Sequence, residues 1–165
     1  MMKKLNNKGF TLIELLAVIV ILAVVMAIAA RSVLGVMNDS RKSALLDSAS
    51  SAASSFSNAY AESIISNKTT VFGISFAGTT ISPLTSDTIT AFSELGITEK
   101  DYTSDSFVYF DGDKFLVCLV ANPSGSYNVA NAVGGTKTVG SEGNTKSLTA
   151  TQMWACSDGT HSWTD

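Results

Sequence analysis

Glu14 is the residue of this sequence whose type and position most restrict its chemistry. It lies in an apolar run from Phe10 to Ala30, in which Thr11 is the only other polar residue. A carboxylate at the centre of a bilayer costs about 2.5–3.5 kcal/mol, and less near the membrane surface. The run therefore predicts that Glu14 has a partner that offsets this cost.

Cys118 and Cys156 are the only two cysteines of the chain. The sequence has no Cys-x-x-Cys pair, and its single histidine leaves too few ligands for a zinc site. If this part of the chain lies outside the cytoplasm, the two thiols are expected to form a disulfide, worth roughly 4 kcal/mol by the loop-entropy estimate. Two separate buried thiols are the alternative.

Catalytic and metal-binding patterns are otherwise missing from the sequence. His161 has no serine or cysteine motif beside it, so we predict no catalysis there and no enzymatic activity. Asp111 and Asp113 flank a glycine, but the other ligands of a calcium loop are lacking, which favours a plain hairpin turn. Gly134-Gly135 lacks the lysine of a phosphate-binding loop. We predict neither a metal nor a cofactor.

Charge is distributed unevenly along the chain. Lys3, Lys4 and Lys8 precede the apolar run, whereas residues 31–165 carry eight basic and thirteen acidic side chains. Basic residues before the run and acidic ones after it are typical of a membrane segment whose N-terminus stays in the cytoplasm. An acidic domain also lacks the excess of cations found in nucleic-acid-binding domains, so no specific nucleic acid is predicted.

The apolar run fits three kinds of N-terminal segment. As a helix it is about 31 Å long, close to the hydrocarbon thickness of a bilayer. A signal peptide could be cut after Ala27-Ile28-Ala29, but signal peptides usually have apolar regions of only about 7–15 residues. A plain membrane anchor has the right length, yet neither it nor a signal peptide has a use for Glu14. The third possibility is a prepilin, which is cut before the apolar run.

Residues 8–16, with the sequence KGFTLIELL, resemble the processing site of type IV pilins and of the pseudopilins of type II secretion and competence systems. The resemblance implies that a prepilin peptidase removes residues 1–9 as a leader by cutting after Gly9. The same enzyme would methylate the new N-terminal residue, Phe10. Glu14 then occupies the fifth mature position, where this family has a glutamate that pairs with the N-terminal amine of a neighbouring subunit.

The resemblance also implies a function, a location and partners. The leading hypothesis is a structural subunit of a type IV pilus, a helical homo-oligomer that serves adhesion, aggregation, twitching motility or DNA uptake. Its precursor would be a single-pass protein of the bacterial inner membrane, and its further partners a membrane platform and cytoplasmic ATPases. A pseudopilin of a type II secretion or competence system is the first alternative. A minor pilin with a ligand-binding head is the second.

The helical pattern continues beyond the apolar run. Apolar residues recur every three or four positions and form one stripe, made up of Leu45, Ala49, Ala52, Phe56, Tyr60 and Ile64. We predict a single helix from about Thr11 to Ser66, with a membrane and filament-core part at 10–30 and an amphipathic part at 31–66.

One feature of this helix differs from many type IV pilins. They have a helix-kinking proline at the position of Arg31, and this chain has no proline before Pro83. The stretch from Gly35 to Ser40 has the lowest helix propensity, so any bend or unwinding is expected there.

The remaining residues, 67–165, are predicted to form a globular head. Two β-rich runs, Phe107–Phe110 and Phe115–Val120, flank a glycine-containing turn and predict a hairpin. Leu148–Cys156 predicts a further strand, whereas residues 122–147 are rich in Gly, Ser, Thr and Asn and predict long loops.

The predicted fold class is α+β. A long N-terminal helix would pack on an antiparallel sheet of about three to five strands, giving the ladle-like fold of pilins. By resemblance, the span 118–156 would correspond to the variable region that a C-terminal disulfide bounds in that family.

Overall fold

The computed structural model describes residues 10–76, 78–85, 92–127, 136–141, 143–148 and 152–160. These residues form one long helix followed by antiparallel sheets, which confirms the predicted α+β class. Helix α1 is Leu12–Ile65. The strands are β1 (Thr70–Val71), β2 (Ile74–Ser75), β3 (Thr80–Pro83), β4 (Phe107–Phe110), β5 (Phe115–Val120), β6 (Lys137–Ser141), β7 (Asn144–Leu148) and β8 (Trp154–Cys156).

Helix α1 begins and ends within one residue of the predicted boundaries. It is unbroken through Gly35 and Ser40, where the sequence has its lowest helix propensity. Contacts within the chain separate it into two units, Met1–Asn38 and Asp39–Asp165. In the first unit, every residue from Phe10 to Met37 is exposed.

The second part of α1 contributes one face to the core of the second unit. Four residues of the predicted stripe are fully buried: Leu45, Ala49, Ala52 and Phe56. The prediction is wrong for Ile64, which is 64% exposed, and Ser63 is buried in its place. Ser63 lies three residues after Tyr60, and this step keeps it on the buried face of the helix. Its buried hydroxyl donates a hydrogen bond to the Tyr60 carbonyl at 2.7 Å, so the hydroxyl has a partner.

The main sheet has four antiparallel strands in the order β3-β4-β5-β8. The predicted hairpin is confirmed, with Phe107 opposite Cys118 and Phe110 opposite Phe115. All four residues of β4 are buried, so both faces of this central strand are covered. Pro83 is the last residue of edge strand β3, and an edge position tolerates the missing N–H of proline.

A short hairpin connects α1 to the main sheet, in a segment whose structure the sequence left open. Strands β1 and β2 pair through Val71 and Ile74, and both residues between them, Phe72 and Gly73, have positive φ. Two positive φ angles are the requirement of a two-residue hairpin turn that follows the twist of its strands.

The prediction of loops throughout residues 122–147 is wrong, because β6 and β7 form a third hairpin there. Among the described residues of this hairpin, the buried side chains are Val139 and Leu148. Because so few apolar residues mark its strands, the sequence, which is rich in Gly, Ser and Thr here, gives only a weak strand pattern. Gly140 has a φ of 108°, and a Cβ there would overlap the Asn144 carbonyl oxygen, so the hairpin requires glycine at this position.

The strand predicted over Leu148–Cys156 is also corrected. Leu148 ends β7, and of the described residues that follow it only Trp154–Cys156 form a strand, β8. Phe92–Leu95 form a 3₁₀ turn, which is followed by Gly96 with positive φ.

Aromatic rings join α1 to the sheet of the second unit. Phe56 stacks on Phe115 with ring centroids 5.7 Å apart, and it meets Phe72 edge-on at 5.1 Å. Phe115 in turn stacks on Phe110 at 4.5 Å. Such ring pairs contribute about 0.5–1.5 kcal/mol each beyond the burial of their surface. Phe56 is therefore the main apolar anchor of the helix on the sheet.

Replacing this anchor should destabilise the second unit strongly. We expect Phe56→Ala to lower the free energy of unfolding by about 3–5 kcal/mol, because it leaves a cavity among the rings. Ile64→Ala, at the exposed position of the same helix, should change it by less than about 0.5 kcal/mol. Denaturant unfolding of the detergent-solubilised chain, followed by tryptophan fluorescence, measures both. Equal losses in the two variants would contradict this helix orientation.

Candidate functional site: the N-terminal helix

Thr11 and Glu14 form a hydrogen-bonded pair at the start of α1. The Thr11 N–H and the Thr11 hydroxyl both donate to Glu14 Oε2, at 2.9 and 2.7 Å. The Glu14 N–H donates in return to the Thr11 hydroxyl oxygen at 3.3 Å. This arrangement is a capping box, in which the residue before the helix and the third helical residue satisfy each other's polar groups. Glu14 Oε1 accepts no hydrogen bond from the described residues.

The helix surface that follows this pair is apolar on every side. No residue from Leu15 to Ala30 is polar, and all of these side chains are exposed. Among the described residues, α1 is the one helix that is long and apolar enough to cross a membrane. So large an apolar surface requires lipid or protein to cover it.

Phe10 lies directly before the capping box, and its side chain is 90% exposed. Gly9, the predicted cleavage position, lies outside the described residues. The predicted cut would therefore fall one residue ahead of the helix cap, beside an exposed side chain.

A comparison with protein families identifies this part of the chain. Residues 4–30 match the family model described as the prokaryotic N-terminal methylation motif. The chain carries the prepilin signature of type IV pilins and pseudopilins. The match covers the capping box and the apolar run, and none of the second unit. No curated protein and no solved structure matches this pilin-like chain.

The prepilin signature carries consequences for processing and location. It implies cleavage by a prepilin peptidase and assembly into a pilus or pseudopilus. Together with the apolar helix it fits a membrane-anchored precursor. It is also typical of structural proteins.

A disulfide joins Cys118 of β5 to Cys156 of β8 in the second unit. The two cysteines are opposite residues in the strand register, and both are fully buried. Beside them, the Ser157 N–H donates to the Val117 carbonyl at 2.9 Å. This bond identifies the cysteines as a non-hydrogen-bonded pair, the type in which facing side chains lie closer together.

A polar clamp, made by Asp101 and Ser126, holds the segment that follows β5. The buried Asp101 carboxylate accepts hydrogen bonds from the N–H and the hydroxyl of Ser126, both at 3.0 Å. A Cβ at Gly125 would lie 3.0 Å from the Asp101 Cα, so residue 125 has to be small. The clamp was missed by sequence reasoning, because its two residues are 25 positions apart and no local pattern signals their contact.

Two tyrosines tie the same segment to α1. Tyr102 and Tyr127 stack with ring centroids 5.6 Å apart, and the Tyr127 hydroxyl lies 3.3 Å from the Ser48 hydroxyl of the helix. Burial raises the pKa of Tyr102 far above its ordinary value, so this phenol stays protonated. The tyrosine pair is therefore a structural contact within the second unit.

Asp111 stabilises the turn between β4 and β5. Its Oδ1 accepts the N–H groups of Asp113 at 2.9 Å and Lys114 at 2.7 Å. These backbone hydrogen bonds hold the pKa of Asp111 below its ordinary value. In the described part of the chain, no three His, Cys, Asp or Glu side chains are grouped to hold a metal ion.

The remaining candidate positions of the sequence are not part of a described site. His161 and Gly134-Gly135 lie outside the described residues. An open groove of about 660 Å³ beside α1 in the second unit is lined by residues that include Ser54, Ser57 and Lys114. The two serine hydroxyls donate to carbonyls of their own helix, so neither is paired with a general base there.

Removing the disulfide should weaken the second unit. Cys118→Ala with Cys156→Ala should lower the free energy of unfolding by about 4 kcal/mol, because the open segment gains entropy in the unfolded chain. Denaturant titration of the variant and of the native chain measures the difference. As a control, the native chain should resist mild reductant until denaturant is added, since both sulfurs are buried. A loss below about 1 kcal/mol would contradict this role.

The turn at Asp111 should give a small acid dependence. The folded-state pKa lies below the unfolded one, so the contribution is present above the unfolded pKa of about 3.9 and disappears as pH falls through the folded pKa. Asp111→Ala should cost less than about 1 kcal/mol at neutral pH, since the carboxylate is exposed and screened. The difference between variant and native chain should shrink in unfolding titrations below pH ~4. A difference that does not change with pH would contradict it.

Proposed function

We propose that the chain is the structural subunit of a type IV pilus, assembled through its N-terminal helix into a surface filament. The observation that carries this proposal is the single carboxylate, Glu14, at the capped end of an otherwise apolar helix within the prepilin signature. A carboxylate is costly in this setting unless assembly provides a partner for it.

Processing would prepare the chain for assembly. A prepilin peptidase would remove residues 1–9 by cutting between Gly9 and Phe10, and it would methylate the amine of Phe10. Residues 10–30 would hold the precursor in the bacterial inner membrane, with residues 67–165 on the outer side. Methylation keeps the charge of the amine, so the mature chain begins with a cation four residues before Glu14.

Assembly would pair these two charges between subunits. The Glu14 carboxylate of one subunit would meet the Phe10 amine of its neighbour as the helices leave the membrane. Two charges buried together offset much of the cost that each has alone, so the pair penalises subunits docked at a wrong axial position. Attraction would come from the packing of the Leu, Ile, Val and Ala side chains of adjacent helices.

The head would form the filament surface. A membrane platform and cytoplasmic ATPases would drive the assembly, and the filament would serve adhesion, aggregation, twitching motility or DNA uptake. The size of the head and its segment between Cys118 and Cys156 support this role over that of a small pseudopilin. A pseudopilin of a type II secretion or competence system has the same helix and signature, and it is the second candidate.

Immunogold labelling of surface fibres separates the two candidates. An antibody against the head should label fibres on native cells, and a deletion strain should lack them. Restoring the gene should restore the labelled fibres. Unlabelled fibres that persist in the deletion strain would rule out the major-pilin role, and a secretion or competence defect without surface fibres would support the pseudopilin.

Glu14→Ala should produce a subunit that is processed but assembles poorly. The variant should reach the membrane, be cut after Gly9 and be methylated, since the cut lies outside the helix. Sheared fibre should fall at least tenfold, because the amine of the neighbouring subunit has no partner. Mass spectrometry of the mature chain and quantitative immunoblots of sheared fibres measure these steps. Normal fibre yield would refute the pairing.

A further inference from the structure

The capping box uses one of the two carboxylate oxygens of Glu14. Both donors from Thr11, the N–H and the hydroxyl, bind Oε2. Oε1 accepts no hydrogen bond from the described residues. One donor residue therefore fixes the side chain and leaves a lone acceptor on an apolar helix surface.

We infer that Thr11 is a positioning residue for assembly, which holds the Glu14 carboxylate so that Oε1 accepts the N-terminal amine of a second copy of this chain. This inference rests on the proposed filament function and deepens it. It assigns a role to Thr11, whose hydroxyl both donates to Oε2 and accepts from the Glu14 N–H.

Two physical effects give the cap this role. A free glutamate side chain loses rotamer entropy when it is fixed, and the cap fixes it before the neighbour arrives, so less of that loss falls on assembly. The cap also supplies two hydrogen bonds to a carboxylate that lipid cannot solvate. Neither effect uses up Oε1, so the cap and the intermolecular pair can exist together.

The capping geometry has a spatial consequence for the partner. The carboxylate is held against the Thr11 N–H, at the very start of the helix rather than beside its later turns. An amine that reaches Oε1 has to approach at the level of Phe10 and Thr11. The cap thereby restricts the axial position at which a neighbouring N-terminus forms the ionic contact.

Three substitutions separate the effect of the cap from that of the charge. Thr11→Val keeps the shape of the side chain and removes the hydroxyl, whereas Thr11→Ser keeps the hydroxyl. Glu14→Gln keeps the acceptor of a capping box and removes the charge. Each full-length precursor replaces the native gene, and the amount of sheared fibre is divided by the amount of cleaved, methylated chain found by mass spectrometry.

We expect Thr11→Val to lower this ratio about tenfold, the effect of losing a hydrogen bond to a charged group, and Thr11→Ser to restore it. In the Glu14→Gln background, Thr11→Val should change the ratio less than twofold, because no charge remains to be positioned. The same tenfold loss in both backgrounds would show simple helix capping and overturn the inference.

The remaining outcomes are also decisive. Normal fibre from Thr11→Val, together with loss in Glu14→Ala, would overturn this inference and leave the proposed function intact. Normal fibre from Glu14→Ala would overturn this inference together with the pairing of Glu14 and the neighbouring amine, and it would leave the filament role of the chain intact. A Thr11→Val precursor that is not cut would assign Thr11 to peptidase recognition and overturn the positioning role.

A measurement on the unassembled subunit tests the cap without counting fibres. In detergent micelles, NMR hydrogen exchange should show that the backbone amide of residue 11 is protected, both in the mature native chain and in the Thr11→Ser variant. Glu14→Ala should remove that protection, since the carboxylate is the acceptor. An unprotected Thr11 amide in the native chain would overturn the inference even if fibre yields followed the expected pattern.

Discussion

The carboxylate of Glu14 imposes the constraint on which the organisation of this chain depends. It is the only charged side chain between Lys8 and Arg31, on a helix whose other side chains in this stretch are apolar apart from Thr11. A charge removed from water is tolerated only when it is paired and hydrogen-bonded. Thr11 donates two hydrogen bonds to one oxygen within the subunit, and the other oxygen accepts none from the described residues. A partly satisfied charge of this kind favours assembly in one register.

The two units of the chain differ in how their apolar side chains are covered. Every described residue of the first unit up to Met37 is exposed, so its apolar surface depends on lipid or on other copies for cover. The second unit buries its own core, whose first residue along the chain is Leu45. The second unit thus has a core made of its own residues, which suits a subunit that exchanges lipid for protein around its N-terminal helix while it stays folded.

The sequence predicted those features whose signal is local and strong. The apolar run, the stripe to Phe56 and the hairpin of β4 and β5 have clear periodicity or a clear turn, and the structure has them at the predicted positions. The predicted stripe is wrong at Ile64, which is exposed. An α-helix has 3.6 residues per turn, so successive steps of four residues rotate the later positions away from the buried face. The spacing of Thr11 and Glu14 is a readable capping-box signal that sequence reasoning passed over. The Asp101 clamp has no local signal at all.

The segment between the cysteines combines a weak strand pattern with strong anchors. Its hairpin buries Val139 and Leu148, and most of its other described side chains face solvent. The segment is held at one end by Ser126 on Asp101, at the other by the disulfide, and between them by Asn144, which donates to the Thr79 carbonyl at 3.0 Å. These anchors involve few of the side chains on the exposed face of the hairpin. Such a segment can vary its surface at little cost in stability, which suits the exposed part of a filament.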